Sequence, residues 1–569
     1  MSKREFESPE DEITFFLQID EVSARYESRV RPVLDICHGA MVEDLLRGNA
    51  TDSLRPTAWL VDGHHALGQW RPRPCKGALS ARDLARELLE KRYRVPDRED
   101  GIDEGGAFID AERRLIYLTD LDRWGVLALV RTAPESQARL LGDFFQKHFC
   151  ARSSIGVSFA SDGPSIFQLE FHLPFRVLRK GKLLLEDPRK RHSDGKPLRS
   201  SSDISFLMPA SHEHVCGIYS GHAACSIIGY DQHRWTAHFA IDTWFEECKD
   251  FRDKVPRHQQ DFEAGMQFDP LSGGVADANM PIWNPRAYFL TVVTNRLQLI
   301  KDEWDLILQT LDAETQGFLL KSGEQANRQN DILAEIRHPS TPFRHDQQNE
   351  PIFEKLEAQS RHLKSILHEL SSDLSETVGI GDYFLATDVY YFLNDDGHPG
   401  DRSDCLPYLS EIRSRFRDLK QLLCYFDKLT GRCSRMIQDC EAARMKLTQP
   451  FTHVAALYSA DGVIAFKKTW QTFVASWAVA FVLLMMLTSA IGYKIRQSVR
   501  KLRTGSAQAD GQSRNNDTST RDACGQVMRL APAMSGHHGL STGEPLVLPV
   551  QRRRTDGYRS TFGIGQQVS

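Results

Sequence analysis

The amino-acid sequence predicts an α+β N-terminal domain, followed by a long antiparallel helical bundle or coiled-coil stalk and one transmembrane helix. Over residues 31–250, runs of β-branched and aromatic residues alternate irregularly with helical patterns, which is typical of α+β domains. Residues 284–448 carry three apolar series at helical and heptad spacing. Residues 473–493 contain no charged side chain.

Composition narrows the class of protein. The 569 residues are 41% hydrophobic and 26% charged, which is enough for a packed core in more than one domain. A formal net charge of −5 argues against a nucleic-acid partner, because such domains carry a basic excess. The 11 cysteines include no CxxC pair, and the start MSKREFESPEDEITFF lacks the apolar run of a secretory signal. We therefore expect reduced cysteines and a cytosolic location for residues 1 to about 465.

The N-terminal part divides into a polar start and a series of short elements. Residues 1–30 are mostly polar and predict a flexible N-terminus. Ser80 can cap a helix over Ser80–Tyr93, in which Leu84, Leu88 and Leu89 share a face. Strands are predicted at 113–121, 154–161 and 165–175 and within 214–245, and helices over 123–149.

Three long helices are predicted after this domain. The first starts at Asn284-Pro285, a cap followed by proline at the first helical position, and runs to about Thr315. The third keeps a heptad spacing and is expected to be interrupted at Pro450. Helices of this kind pack as a bundle, and we expect them to join copies of the chain into a homo-oligomer. The apolar positions of the third helix are Leu409, Ile412, Phe416, Leu419, Leu423, Phe426, Cys433, Ile437 and Cys440, with Thr430 in the one polar slot.

The charge-free stretch FVASWAVAFVLLMMLTSAIGY, residues 473–493, predicts a transmembrane helix. As a helix it would be about 31 Å long, which matches a hydrocarbon core of about 30 Å. A buried helix of a soluble protein is the alternative, but such a helix is rarely apolar on every face. The lipid bilayer is therefore the first expected partner.

The orientation of this helix follows from two signals that disagree. Basic residues are more frequent after the stretch than before it, which favours a cytosolic C-terminal side. The long N-terminal part carries no signal for export, and we therefore expect it to stay in the cytosol. Residues 505–569 are rich in Gly, Ser, Gln and Arg without an apolar face, and are predicted to be disordered.

Several stretches resemble known proteins. RRLIYLTDLDRWGVLALV, FQLEFHLPF, HRWTAHFAIDTWF and DPLSGGVADANMPIWNPRAYFL resemble divergent membrane proteins of filamentous fungi that have no assigned activity. The order of a soluble domain, heptad helices and a membrane helix over about 285–493 resembles the CorA-like magnesium channel family.

This resemblance implies a Gly-Met-Asn sequence at the pore mouth. The matching positions here are Gly492, Tyr493 and Lys494. A lysine ammonium repels a divalent cation, whose selection depends on neutral or acidic oxygen groups. A second apolar stretch of spanning length does not follow in the sequence. The resemblance therefore implies a shared layout in which transport has been lost.

Candidate chemistry is sparse. The segment HEHVCGIYSGHAAC gathers ligand-type side chains for a weak zinc candidate, with a plain hairpin as the alternative. The loop FLNDDGHPGDRSD, residues 392–404, reads as a solvated turn rather than a calcium loop. The basic segment 179–203 is interpreted as a solvated loop, with nuclear-import and lipid-binding patches as alternatives. The zinc candidates are His212, His214, Cys216, His222 and Cys225.

These observations predict a single-pass integral membrane protein that works by binding or scaffolding. The sequence contains none of the common catalytic or cofactor motifs, so we predict no catalytic residue and no cofactor. A CorA-like divalent metal ion (magnesium) transporter is the first alternative. An enzyme of unrecognised type in the α+β domain is the second.

Overall fold

The computed structural model divides the chain into two compact units, Met1–His453 and Val454–Ser569, which are described separately. Helix and strand bounds below are those of the described residues. The described residues are 9–18, 25–66, 69–93, 110–160, 166–208, 214–247, 251, 253–335, 350–393, 401–459, 477–479, 481–483 and 485–486.

A mixed β-sheet forms the centre of the first unit. Its strands are β1 (Pro56–Ala66), β2 (Gln69–Pro72), β3 (Leu79–Ser80), β4 (Arg113–Thr119), β5 (Ser154–Ala160), β6 (Ile166–Gly181), β7 (Ser201–Asp203), β8 (Val215–Gly229) and β9 (Trp235–Ile241). The order is β2-β1-β4-β9-β8-β6-β5, with β3 paired to β1 and β7 to β8. The β4–β9 pair is parallel, and the other described pairs are antiparallel. The predicted mixed α and β domain is thus confirmed.

Helices cover both faces of this sheet. The helices are α1 (Pro9–Gln18), α2 (Arg25–Cys37), α3 (Val42–Arg47), α4 (Ala81–Leu89), α5 (Arg123–Thr132), α6 (Ala138–Phe149), α7 (Val255–Glu263), α8 (Pro285–Glu335), α9 (Glu350–Thr387), α10 (Val389–Leu393) and α11 (Asp401–Ser459). Along β4, Ile116 and Leu118 join the core under the N-terminal helices, whereas Leu115 and Tyr117 join the core under α8. A strand buried on both faces explains the unbroken apolar run of β4.

The first helix differs from the predicted flexible N-terminus. Ile13 and Phe16 are buried, three positions apart on one face of α1. They belong to the core under the N-terminal helices, and α1 contacts α2, α5 and α6. With Leu17 partly buried against the same core, this apolar face is short, and the polar composition of residues 1–30 as a whole does not reveal it.

Local capping agrees with the sequence. The Ser80 hydroxyl accepts a hydrogen bond from the Asp83 backbone N–H at 3.1 Å and so caps α4. The Asn284 side chain accepts one from the Arg286 backbone N–H at 2.8 Å, at the start of α8. Helix α8 then continues to Glu335, beyond the predicted end near Thr315.

Helices α8, α9 and α11 form the predicted bundle of long helices. Arg361 and Lys420 make ion pairs at 3.1 Å with Glu441 and Asp382, so α9 and α11 run in opposite directions. Between α8 and α11, Asp312 pairs with Arg432 at 2.7 Å and the ring of Trp304 contacts that of Phe426. Residue numbers rise together in these two contacts, so α8 and α11 run in the same direction. Consecutive long helices are therefore antiparallel.

The buried face of α11 departs from the predicted heptad series after Leu419. Leu422, Leu429 and Met436 are buried, where the sequence pattern favours Leu423, Thr430 and Ile437. A heptad seam alternates steps of three and four residues, but here two steps of three follow each other, from Phe416 through Leu419 to Leu422. The buried positions after Leu419 are therefore displaced from the predicted heptad positions. Such a shift locally overwinds a helical seam and keeps apolar side chains facing their partners.

Two further predictions concern the end of the chain. Helix α11 continues past Pro450 to Ser459, so the predicted interruption there is wrong; a proline removes one backbone hydrogen bond without having to end a helix. Most of the stretch 473–493 and all of 505–569 lie outside the described residues. Within the part of the chain that is described, no helix combines the length and apolarity that crossing a membrane requires.

Two glycines of α9 provide a matched test of the bundle. A Cβ at Gly381 would collide with the ring of buried Phe416 on α11, whereas a Cβ at Gly379 meets no atom within 4 Å. We expect Gly381→Ala to destabilise the protein by about 1–3 kcal/mol, because the ring has no room to move. Gly379→Ala should stabilise it by about 0.5–1 kcal/mol through helix propensity. Chemical denaturation measures both, and equal effects of the two substitutions would contradict this packing.

Candidate functional site

A buried carboxylate lies directly after β9, at one end of the central strands. Asp242 is completely buried between two guanidinium groups. Its Oδ1 accepts a hydrogen bond from Arg189 at 2.7 Å, and its Oδ2 accepts one from Arg199 at 2.6 Å. Burial alone would raise the pKa of Asp242, but the two arginines hold it well below its usual range. Asp242 is therefore ionised in the folded protein.

The two arginines fasten the β6–β7 connection to the rest of the domain. Arg189 also donates to Asp187 at 2.9 and 2.7 Å, so that two cations face two anions. Arg199 donates to the backbone carbonyl of His148 at 2.8 Å, at the end of α6. Charge-assisted hydrogen bonds thus join three segments, which are the β6–β7 connection, the last turn of α6 and the end of β9.

Three buried imidazoles continue this polar cluster under the N-terminal helices. His172 on β6 and His222 on β8 are diagonal neighbours across the strand pair, with Nδ1 and Nε2 at 3.1 Å. The ring of His148 lies 5.0 Å from that of His222. Burial lowers the pKa of His148 and of His222 well below the ordinary value, and lowers that of His172. His148 and His222 are therefore neutral in the folded protein, whereas the neighbouring Glu170 opposes the effect of burial on the pKa of His172.

An ion pair closes the far end of the cluster. Lys147 contacts Glu170, which also accepts a hydrogen bond from Gln168 at 2.9 Å. Burial opposes the ionisation of Glu170, yet His172 and Lys147 lower the pKa of this carboxyl group. A continuous series of polar side chains therefore runs from Asp242 to Glu170 inside the domain.

A cleft of about 550 Å³ opens beside this cluster, between the β6–β7 connection, β8 and α9. Arg176 donates to Asp373 at 2.8 Å and to Glu369 at 2.7 Å, both on α9. Ser200 and Ser220 exchange hydrogen bonds of 2.8 and 2.9 Å at the cleft wall. The described lining combines hydroxyl, guanidinium, ammonium and carboxylate groups with apolar side chains such as Phe149, Phe175 and Leu198, and it contains no histidine. This chemistry suits binding of a small polar ligand.

The sequence-predicted zinc candidates do not converge in the described structure. His212 lies outside the described residues, and His214 is exposed just before β8. Cys216, His222 and Cys225 are buried on β8, where His222 and Cys225 point to opposite faces because they are three positions apart. In the described chain, no group of three or more His, Cys, Asp or Glu side chains is arranged to hold a metal ion. The pore-mouth positions Gly492, Tyr493 and Lys494 lie outside the described residues.

Sequence reasoning missed the buried ionic cluster. The segment 179–203 was expected to be solvated, but Arg189 and Arg199 within it are buried. One signal was available: an aspartate directly follows β9, a strand in which five of the seven residues are apolar, and a buried carboxylate at such a position needs a cationic partner. Which of the many basic residues would provide that partner depends on the fold.

Comparisons with known proteins give weak similarity to two solved structures. The CorA magnesium transporter from Methanocaldococcus jannaschii is 10% identical with a TM-score of 0.30, over 76% of this chain and 96% of that chain. The full-length CmaX protein is 12% identical with a TM-score of 0.28, over the same shares. No protein-family model matches the chain, and no curated protein sequence is similar to it. These TM-scores lie below those of chains that share a fold, and the chain is not assigned to a family.

The buried imidazoles predict a loss of stability in mild acid. An unfolded histidine has a pKa of about 6.5, so below this pH the unfolded chain binds protons that the folded chain excludes, and the free energy of unfolding falls. His222→Gln removes one such group. We expect the variant to be less stable than the natural protein near neutral pH. Below about pH 6, the free energy of unfolding of the variant should fall less steeply with acidification, and the two slopes should differ by about 1.4 kcal/mol per pH unit.

Denaturation curves recorded between neutral pH and about pH 5 measure this slope. His233→Gln, at an exposed position, is the matched control and should leave it unchanged. An identical slope in His222→Gln and the natural protein would show that this imidazole is already charged in the fold.

Proposed function

We propose that the chain is a single-pass membrane protein that displays a rigid binding module on a bundle of long helices. The observation that carries this proposal is the charge-free stretch 473–493. Its described residues are helical, and they expose large apolar side chains, including Trp477 (56%), Phe481 (41%) and Met486 (68%). Lipid is the solvent in which such side chains are stable without a protein partner.

The link between sheet and bundle supports the rigid module. Arg179 at the end of β6 donates two hydrogen bonds of 2.8 Å to Glu303 on α8, and also contacts Glu246. Arg176 makes the corresponding contacts to α9. Bidentate arginine pairs that are mostly shielded from water fix the orientation of the elements they join. The polar cleft lies next to these contacts and is the proposed binding surface.

The proposed module works in the cytosol, and copies of the chain associate through the long helices. The apolar seam of α11 is buried within the chain's own bundle. Self-association would therefore use the exposed faces of these helices, where Tyr383 and Tyr425 are more than half exposed. Binding or scaffolding needs no chemical step, which agrees with a cleft built of paired charges and hydroxyl groups.

The membrane location is tested by extraction and glycosylation of the full chain. We expect the protein to stay with vesicles in alkaline carbonate and to be released only by detergent. The sequence Asn516-Asp517-Thr518 is a glycosylation acceptor, and glycan there would place the C-terminal part in the lumen and the module in the cytosol. Asn516→Gln is the control. Release by carbonate alone would end the proposal.

Ion transport is tested separately. One of the similar solved structures is named a magnesium transporter. We expect proteoliposomes that carry the full chain to take up no more Mg²⁺ than empty liposomes, because the CorA-like resemblance matches Lys494 to the pore mouth, where its ammonium group would repel a divalent cation. Mg²⁺ uptake that depends on correctly inserted protein would show that the chain is a transporter rather than a binding module.

A further inference from the structure

The end of β6 carries exposed basic and apolar side chains together. We define the leucine–lysine tip as Lys180–Leu184, which spans the last residues of β6 and the start of the β6–β7 connection. Lys180 and Lys182 are exposed, and Leu183 is 71% exposed. Leu184 is 38% exposed and rests against Gly217 of β8. Two aliphatic side chains are thus held at the surface between lysines.

The rest of the β6–β7 connection is fastened to the domain and presents more lysines. Asp35 on α2 accepts hydrogen bonds from the Ser193 backbone N–H at 2.6 Å and from its hydroxyl at 2.8 Å. His192 stacks on His38, the residue directly after α2, with ring centroids 3.5 Å apart. Lys190 and Lys196 flank this anchored turn and are exposed. The lysines therefore stand on a fixed support, so little ordering entropy is lost when they bind.

We propose that the leucine–lysine tip, together with Lys190 and Lys196, docks on an anionic lipid surface. This inference rests on the proposed membrane location, which brings the module near such a surface. Residues 179–199 contain eight Lys or Arg and three Asp or Glu, and three of the arginines, Arg179, Arg189 and Arg199, are neutralised by carboxylates of the domain. Lys190 and Lys196 lie 3.8 and 3.9 Å from exposed carboxylates of the same connection, whereas Lys180 and Lys182 of the tip provide the remaining lysine charge. Exposed lysines attract anionic headgroups, while the leucine pair enters the boundary between headgroups and acyl chains.

The composition of the tip favours lipid over other anionic partners. Single-stranded nucleic acids are held by aromatic side chains that stack on bases, and the tip Lys-Gly-Lys-Leu-Leu contains none. Its compact ammonium groups are suited to headgroups as point charges, whereas planar bidentate recognition of a phosphopeptide uses arginine. Aliphatic side chains flanked by lysines are typical of interfacial membrane contacts.

The experiment uses the full chain held in zwitterionic nanodiscs and mixed with separate vesicles. Flotation measures binding to phosphatidylserine-rich vesicles and to pure phosphatidylcholine vesicles. We expect binding to the anionic vesicles only, weakened by added salt. Lys180→Gln/Lys182→Gln should weaken it roughly 30-fold, since each lysine near an anionic surface contributes a factor of about five. Leu183→Ser/Leu184→Ser should also weaken binding but keep its salt dependence.

Lys364→Gln/Lys428→Gln removes the same charge from exposed positions of the bundle and serves as the matched control, with binding unchanged. Thermal unfolding confirms that each variant is folded. Any one of three results would overturn the inference. The protein could bind both vesicle types equally, or both tip variants could bind as well as the natural protein. It could also prefer single-stranded RNA to anionic vesicles. Failure to enter nanodiscs would instead count against the membrane location, so the two proposals fail separately.

Discussion

The architecture depends on one helix that packs on both the sheet and the bundle. In its first turns α8 packs on the sheet, where the ring of Phe289 lies 6.0 Å from that of Phe171 on β6, and further along Trp304 packs on Phe426 of α11. Both contacts belong to one continuous core, so a single unbroken helix cannot shift on the sheet without moving in the bundle. Sheet and bundle are consequently expected to behave as one cooperative body within the first unit, and a ligand in the cleft at the sheet edge lies against both.

The buried ionic cluster has a different role, because it fixes irregular backbone rather than regular elements. Asp242 alone would be costly to bury, and its removal would leave buried Arg199 without a carboxylate partner and Arg189 with Asp187 alone, at a cost of about 3–5 kcal/mol. Together the three groups hold the β6–β7 connection against α6 and β9. That connection forms one wall of the cleft and carries the leucine–lysine tip, so its rigidity supports both proposed contacts.

Sequence patterns predicted the elements whose signal is local. The apolar run of β4 and the cap of α8 each depend on neighbouring residues, and both appear where expected. The end of β6 was missed because its last residues include Arg176 and Arg179, which look like a loop until carboxylates on α8 and α9 neutralise them. The buried state of Arg189 and Arg199 was missed for the same reason. Whether a charged residue is buried depends on a partner that is distant in the sequence, so local sequence patterns do not predict it.

The central claim, that sheet and bundle unfold as one body, is tested most directly by hydrogen exchange on the full chain carrying Trp304→Ala. Trp304 is fully buried against Phe426, and its truncation should cost about 3–5 kcal/mol. If α8 couples the sheet to the bundle, the amides of β4 and β9 will lose as much protection as those of α11. Loss of protection confined to the bundle, with the sheet unchanged, would contradict the claim.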